Sequence, residues 1–478
     1  MRILLIVHRY LGVVLGLVMA LWCLSGFVMM YRGYPAVTAD QRIAALAPLD
    51  LRGMGAIPDL GRVPIAGFRV EMLADRPVLR LATAEGPRLL DLRNGAAVEH
   101  MGAAGATSVA AAFAASRRVA SPPSQTRLID QDQWTVEGAG RRGLVYRVSF
   151  GDPQQTVVYV ADRTGEVVQA TDRMSRFWAW IGAVPHWLYP HVLRRHVALW
   201  SQVVIWTSLA GAFLTATGLW IGISRIRRGP RGPLSPYAGW RFWHHMAGLF
   251  FGLFTLTWVT SGLLSVNPAG LLESTASETE QAALTSALKP SDVPAFLAVA
   301  LSGLSPGVVT LQSAPLGGGL YVVERLRDGR ELRLDGQGRP APLGQDEVAR
   351  AFAGAGQTLA GLALITRPDA YYYPNYDGPA PLPVWKARLH DGRVAYLDPV
   401  SGQVRLALDG EARASRWIRT GLHDLDFPGL RQRPVWDLVV LILLAGVTAG
   451  AITGAWLGLK RLVWDLKVLS WRLGRPRP

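Results

Sequence analysis

The sequence predicts a membrane protein of four transmembrane helices built by internal duplication, with two α+β domains in its long connections. Four apolar stretches, about Leu11–Met30, Val197–Ile223, Met246–Val266 and Val435–Leu459, are each long enough to cross a hydrocarbon core of ~30 Å, which takes ~20 residues. The same residue types recur at a fixed offset. Adding 236 to His8, Gly12, Gly16, Trp22, Ser25 and Gly26 gives His244, Gly248, Gly252, Trp258, Ser261 and Gly262. The same shift carries Gly218, Trp220 and Gly222 onto Gly454, Trp456 and Gly458. Between those blocks the shift is 237, carrying Tyr159, Gly165, Trp180 and His186 onto Tyr396, Gly402, Trp417 and His423. Low-complexity apolar sequence matches Leu with Val by chance. It does not align His, Trp and Gly together over such a span, so the repeat sets the architecture.

Each element follows in order. Residues 1–33 form the first helix. Its apolar run exceeds the ~7–15 residues of a cleavable signal and has a counterpart in the third helix, so it is read as retained. Residues 34–196 are the first α+β domain: SVAAAFAASRR from Ser108 reads as a helix, and DQWTVEG, GLVYRVSF and TVVYVADRTGEVVQA read as strands. The second helix takes 197–223, a loop 224–242, and the third helix 243–266. Residues 267–434 repeat the domain, with DEVARAFAGAGQTLAGL from Asp346 as helix and AYYYPNYDG, VWKARL and VAYLDPVSGQVRLAL as strands. The fourth helix takes 435–459 and a tail 460–478. Each domain closes on a hairpin, Tyr159–Val168 or Tyr396–Arg405, whose turn reaches Gly165 or Gly402, where positive φ is needed.

Charge orients the chain. The loop holds Arg225, Arg227, Arg228, Arg231 and Arg241 without an acid, and the tail holds six bases against Asp465 alone. With Arg2 and Arg9 these regions supply 12 of the net +15. Short Lys/Arg-rich connections stay in the cytoplasm, so both termini and the middle loop are placed inside and the two domains outside. That distribution explains the basic balance without nucleic acid. Cys23 is the single cysteine, which excludes disulfides in the domains and covalent haem attachment. No dinucleotide fold fingerprint, phosphate loop or HExxH is placed, so a built-in nicotinamide or flavin site is not expected, and any electrons the protein carries would come from quinol or another protein.

Seven of the nine histidines lie near membrane ends. Taken singly, such a histidine is a half-solvated polar tip. The repeat pairs two sets. His8 with His244, and His186 with His423, would meet across an axis along the membrane normal, and two imidazoles on opposite faces of an iron porphyrin make an electron-transfer centre. That gives two b-type haems in a four-helix bundle. Gly12, Gly16, Gly248 and Gly252 would clear a face for the macrocycle, or else serve helix packing through GxxxG. His196 is an alternative to His186, and His245 to His244. Arg433, near the position equivalent to His196, would pair with a haem propionate. Tyr371, Tyr372, Tyr373 and Tyr376 would either pack a strand or hold a bulky ferric chelate.

VYVADRTGEV and AYLDPVSGQV resemble PepSY domains, and HRYLGVVLGL, WHHMAGLFFGLFTLTWVTSGLLSVNP and Leu422-His423-Asp424 resemble the PepSY-associated transmembrane family. The resemblance covers nearly the whole chain. It implies periplasmic PepSY domains on an inner-membrane protein, similar in some members to haem-containing reductases of ferric siderophores. PepSY domains elsewhere imply a different class, a membrane-anchored binding module for a protease or envelope peptide.

Overall fold

The computed structural model describes residues 2–55, 60, 64–227, 234–300, 303–374 and 380–473. Arg228 and Arg231 therefore lie outside the described residues, as does Tyr376. The chain forms two compact units: a helical unit of Met1–Tyr34, Ser175–Glu273 and Ala414–Pro478, and a sheet unit of Pro35–Met174 and Ser274–Arg413.

Among the described residues, four helices of the helical unit are long and apolar enough to cross a membrane: Arg2–Met29, Val197–Ser224, Trp240–Ser265 and Val435–Leu473. The first and third each pack against both the second and the fourth. Their outward residues, among them Leu17, Phe213, Leu253 and Leu438, are exposed and as apolar as the interior. A helix hydrophobic all round suits lipid rather than water. The fourth helix continues past the boundary at 459 that hydropathy predicts. No Gly or Pro interrupts it between Gly458 and Gly474. Its 39 residues run for roughly 58 Å at ~1.5 Å each.

The sheet unit is antiparallel throughout. The first connection contributes β1 (Ile65–Leu73), β2 (Arg76–Thr83), β3 (Gly86–Asp91), β4 (Pro123–Ile129), β5 (Val145–Phe150), β6 (Val157–Ala161) and β7 (Val167–Thr171). The second contributes β8 (Val308–Ser313), β9 (Tyr321–Leu326), β10 (Glu331–Asp335), β11 (Leu359–Ile365), β12 (Val384–Leu389), β13 (Val394–Leu397) and β14 (Val404–Leu408). β4–β7 and β11–β14 each make a four-stranded sheet. The other six join in one sheet ordered β10-β9-β8-β1-β2-β3, so the two connections share a core.

That junction is β1 on β8, with Arg69, Val70 and Glu71 opposite Gln312, Leu311 and Thr310. Beneath it Phe68, Val70, Leu79, Val293, Phe296, Leu311 and Val322 are buried together. Each such side chain contributes about 1.5–3 kcal/mol by leaving water. Helix Gly102–Ser116 covers the β4–β7 sheet through Ala106, Ala110 and Phe113, and helix Gln345–Gly354 covers β11–β14 through Val348, Ala351 and Phe352. The two hairpin turns hold Gly165 at φ +65° and Gly402 at φ +74°, as the sequence requires.

Two local expectations change. The helix read through to Leu362 ends at Gly354, and Gly356 follows at φ +71°, a left-handed stop. LAGLALI after it is β11, despite its helix-favouring composition. DQWTVEG and the described part of AYYYPNYDG, residues 370–374, are turns and bends instead of strands. Each wraps around an aspartate: Asp132 accepts from the Trp134 and Thr135 groups, and Asp369 accepts from the Tyr371 and Tyr372 amides. An Asx side chain that captures nearby N–H groups outcompetes a strand ladder.

Candidate functional site

The helical unit brings the histidines together in two pairs. The ring centroids of His8 and His244 lie 6.3 Å apart with planes at 38°, and those of His186 and His423 lie 6.2 Å apart at 62°. His8 stands on the first membrane helix and His244 on the third. His186 ends the short helix Ala183–His186, which packs on the first membrane helix, and His423 lies in Leu422–Asp424, which packs on the third.

Hydrogen bonds fix the rings. His8 Nδ1 lies 3.1 Å from the Leu214 carbonyl and His244 Nδ1 3.1 Å from the Gly450 carbonyl. A carbonyl only accepts, so both Nδ1 atoms donate. Thr217 Oγ1 and Thr453 Oγ1 lie beside the same nitrogens at 3.4 and 3.3 Å. At the other pair, His186 Nδ1 is 3.1 Å from Ser25 Oγ and His423 Nδ1 is 3.1 Å from Ser261 Oγ. Ser25 donates its own proton to the Trp22 carbonyl at 2.9 Å, and Ser261 donates to the Thr257 carbonyl at 2.7 Å. Each serine oxygen is therefore left to accept, and these Nδ1 atoms donate too. His186 Nδ1 also faces the Trp22 carbonyl at 3.2 Å. All four rings hold the tautomer with a lone pair on Nε2, and no hydrogen bond ends on Nε2 among the described residues.

The arrangement suits a planar metal chelate between each pair. An imidazole nitrogen bonds a metal at about 2 Å and lies about 1 Å from its ring centre, so rings on opposite sides of one metal have centroids roughly 6 Å apart. A ligating histidine also typically donates its other N–H to a carbonyl or similar acceptor, which sets the tautomer and raises basicity. Glycines make room for the rings. A Cβ at Gly218 would come within 2.6 Å of His8 Cε1, and one at Gly454 within 2.9 Å of His244 Cε1. The glycines singled out by sequence divide between two roles. At Gly12 and Gly248 a Cβ would meet nothing within 4 Å, which leaves open space one turn from each histidine. At Gly16 it would meet Ala455, and at Gly252 Leu219, so these two serve helix packing.

The other named residues stand apart from the pairs. His245 is buried and uses both ring nitrogens, Nδ1 with Ser235 Oγ at 2.8 Å and Nε2 with the Gly222 carbonyl at 2.9 Å. His196 is exposed at the start of the second membrane helix. Arg433 pairs with Asp437 at 3.0 Å, donates to the Met30 carbonyl at 3.3 Å and lies near the Tyr31 and Trp436 rings. In the sheet unit Tyr372 and Tyr373 are buried, and Tyr372 stacks on Tyr396 at 5.0 Å. Tyr371 is half-buried beside them. The Tyr372 hydroxyl donates to the Pro381 carbonyl at 3.1 Å. Ser25, Ser261, Gly218 and Gly454 were visible in the repeat without a role. The Leu214 and Gly450 carbonyls, which hold two of the rings, leave no side-chain signal.

A family model described as PepSY-associated TM region matches residues 5–461, nearly the whole chain, and the chain belongs to that family. No curated protein matches it. The protein is thus a multi-pass membrane protein of the PepSY type.

Proposed function

We propose that this member of the PepSY-associated TM family is an inner-membrane oxidoreductase holding two b-type haems, one between His8 and His244 and one between His186 and His423. It would pass electrons across the bilayer from quinol or a protein donor to a periplasmic ferric substrate such as a ferric siderophore. The observation that carries the reading is the repeated pairing itself: four imidazoles, all donating through Nδ1, face one another in twos about 6.2–6.3 Å apart. When bound, such a group takes up and releases single electrons without a change of ligands. The chain's part is positional. Carbonyls and serine oxygens hold the rings, while apolar helix faces exclude water. Reduction would release the metal because Fe(II) is held far less tightly than Fe(III) by hard oxygen chelators.

The repeat, in this reading, is an internal duplication. Both termini would be cytoplasmic, since the basic residues gather at that end. The test is a spectrum of the purified protein with iron counted per chain. Two reducible b-type centres support the proposal. Colourless protein that folds and inserts sinks it and leaves a membrane-anchored binding module. Reporter fusions near Pro230 and Gly140 check the orientation separately.

A further inference from the structure

The two four-stranded sheets are built alike but end differently. β4 and β11 occupy equivalent edges, each with a bulge near its start, at Pro123/Gln125 and Leu359/Gly361. From those bulges Gln125, Thr126 and Arg127 correspond to Gly361, Leu362 and Ala363. β4 has the usual protections of an edge: a proline at its start, polar side chains and a charge. β11 reads LAGLALI and has none of them. Among the described residues no strand pairs with its outer side. The opposite edge is closed, because Ser277 and Gln281 of helix Ala276–Leu284 accept from the Ala407 and Val404 amides of β14. β11 is thus the open edge, with Ala363 and Leu364 exposed.

Charge says what fits there. Gly361, Leu362, Ala363, Lys386 and Arg388 line a hollow of about 280 Å³. Lys386 is already paired with Asp369 at 2.5 Å. Arg388 is exposed and has no acidic partner among the described residues, and its guanidinium lies over Gly361, where a Cβ would be 2.9 Å from Nη2. The missing side chain at Gly361 lets this cation reach toward the edge. Arg367, just beyond the strand, is also exposed.

We propose that β11 is a docking edge that takes an extended acidic segment of a partner protein as a fifth strand, with a carboxylate of that segment meeting Arg388. Backbone hydrogen bonds supply affinity in such strand addition, and the alternating side chains supply choice. A second copy of the chain fits less well, since another LAGLALI would leave Arg388 unmatched. The inference is independent of haem.

The test uses the full chain in nanodiscs and fluorescent peptides of about eight residues, one alternating Val and Glu, the other Val and Lys, each the length of a strand. The Val–Glu peptide is expected to bind at least about tenfold more tightly than the Val–Lys peptide, with the order reversed in Arg388→Glu. Ala363→Glu, which sets a carboxylate beside Lys386 and Arg388 on the exposed edge, should weaken it by a similar factor, and Leu128→Lys on β4 should change nothing. A Val–Glu peptide N-methylated at alternate residues should not bind. Equal binding of the two peptides, no binding of either, an unchanged order in Arg388→Glu or undiminished binding after N-methylation would overturn the proposal. Self-association of the free protein that Ala363→Glu abolishes would assign the edge to a second copy and overturn it as well.

Discussion

The His8 pair and the His186 pair have nearly the same ring separation but rest on different foundations. His8 and His244 project from membrane helices, and each is held by a carbonyl of the neighbouring helix, Leu214 or Gly450. His186 and His423 project from short helical segments next to the sheet unit in sequence, and membrane-helix serines hold them. The first pair is fixed by bundle packing alone. The second stands on segments whose chain passes in sequence into the sheet unit, at Met174 and Arg413. One pair should therefore behave as part of a rigid scaffold and the other as sensitive to what happens beyond it.

Removing ligands gives the largest expected effect and tests whether the pairs are separate sites. His8→Ala or His244→Ala should halve the haem content and leave the second centre reducible, and His186→Ala or His423→Ala should do the converse. Pyridine haemochrome assay of each purified variant measures this. His196→Ala and His245→Ala should keep both haems, the first because His196 is exposed at a helix start, the second because both His245 nitrogens are used by protein. Loss of haem in His196→Ala with retention in His186→Ala would dissolve the second pair as drawn.

Acid should separate the pairs next. Burial raises the Asp369 carboxyl, but the Lys386 ammonium, the Tyr372 amide and the Tyr396 hydroxyl outweigh it and leave it below the usual range. Burial likewise opposes, and the Ser401 amide and Arg405 guanidinium overcome, the shift at Asp398, which also ends low. A carboxyl whose folded pKa is depressed contributes stability that is complete above its unfolded value of about 3.9 and is lost as pH falls through the folded value. The sheet unit should therefore hold down to about pH 4 and weaken below it. Spectra during acid titration should show the His186 centre altered before the His8 centre. Asp369→Asn should remove part of that pH dependence. Simultaneous loss of both centres would show that the pairs share one foundation.

Much of the helical unit was legible in sequence because the repeat aligned rare residues. His, Trp and Gly rarely coincide at one offset by accident, and the offset alone pairs His8 with His244. The sheet unit was harder to read. β1 and β8 are separated by the whole of two membrane helices, and no local pattern signals a pairing over that distance. β11 does not read as a strand because Leu and Ala favour helices, and Gly356 at φ +71° is the residue that separates it from the preceding helix. Tyr371, Tyr372 and Tyr373 looked like an alternating aromatic face, but Asp369 folds that run into a turn.

Glycine variants give a smaller effect confined to the first pair. Gly218→Ala places a methyl 2.6 Å from His8 Cε1, whereas Gly454→Ala places one 2.9 Å from His244 Cε1. Both rings must shift, the His8 ring further. Each variant should retain protein in the membrane but change the low-spin spectrum and lower haem occupancy, with Gly218→Ala the more affected. Strain of this kind in a packed core costs about 1–3 kcal/mol. Gly12→Ala and Gly248→Ala meet no protein atom within 4 Å, so any spectral change they cause would report a group lying in that space.

The smallest effect should distinguish the two members of the second pair. His186 Nδ1 has two acceptors in reach, Ser25 Oγ at 3.1 Å and the Trp22 carbonyl at 3.2 Å. His423 Nδ1 has Ser261 Oγ at 3.1 Å as its acceptor among the described residues. Ser25→Ala leaves the Trp22 carbonyl to keep His186 in its tautomer, so haem retention should fall by no more than about threefold. Ser261→Ala removes the acceptor of His423, frees the ring to rotate or change tautomer, and should weaken retention by about tenfold, the lower end for loss of a ligand's supporting partner. Thr at position 261 should restore it, because its hydroxyl also donates to the carbonyl one turn back and still accepts from the ring. Haem titration of the apoprotein with the His8 site removed reads the second centre alone. Equal losses in Ser25→Ala and Ser261→Ala would mean that the Trp22 carbonyl does not support His186, and the two members of the pair are held alike.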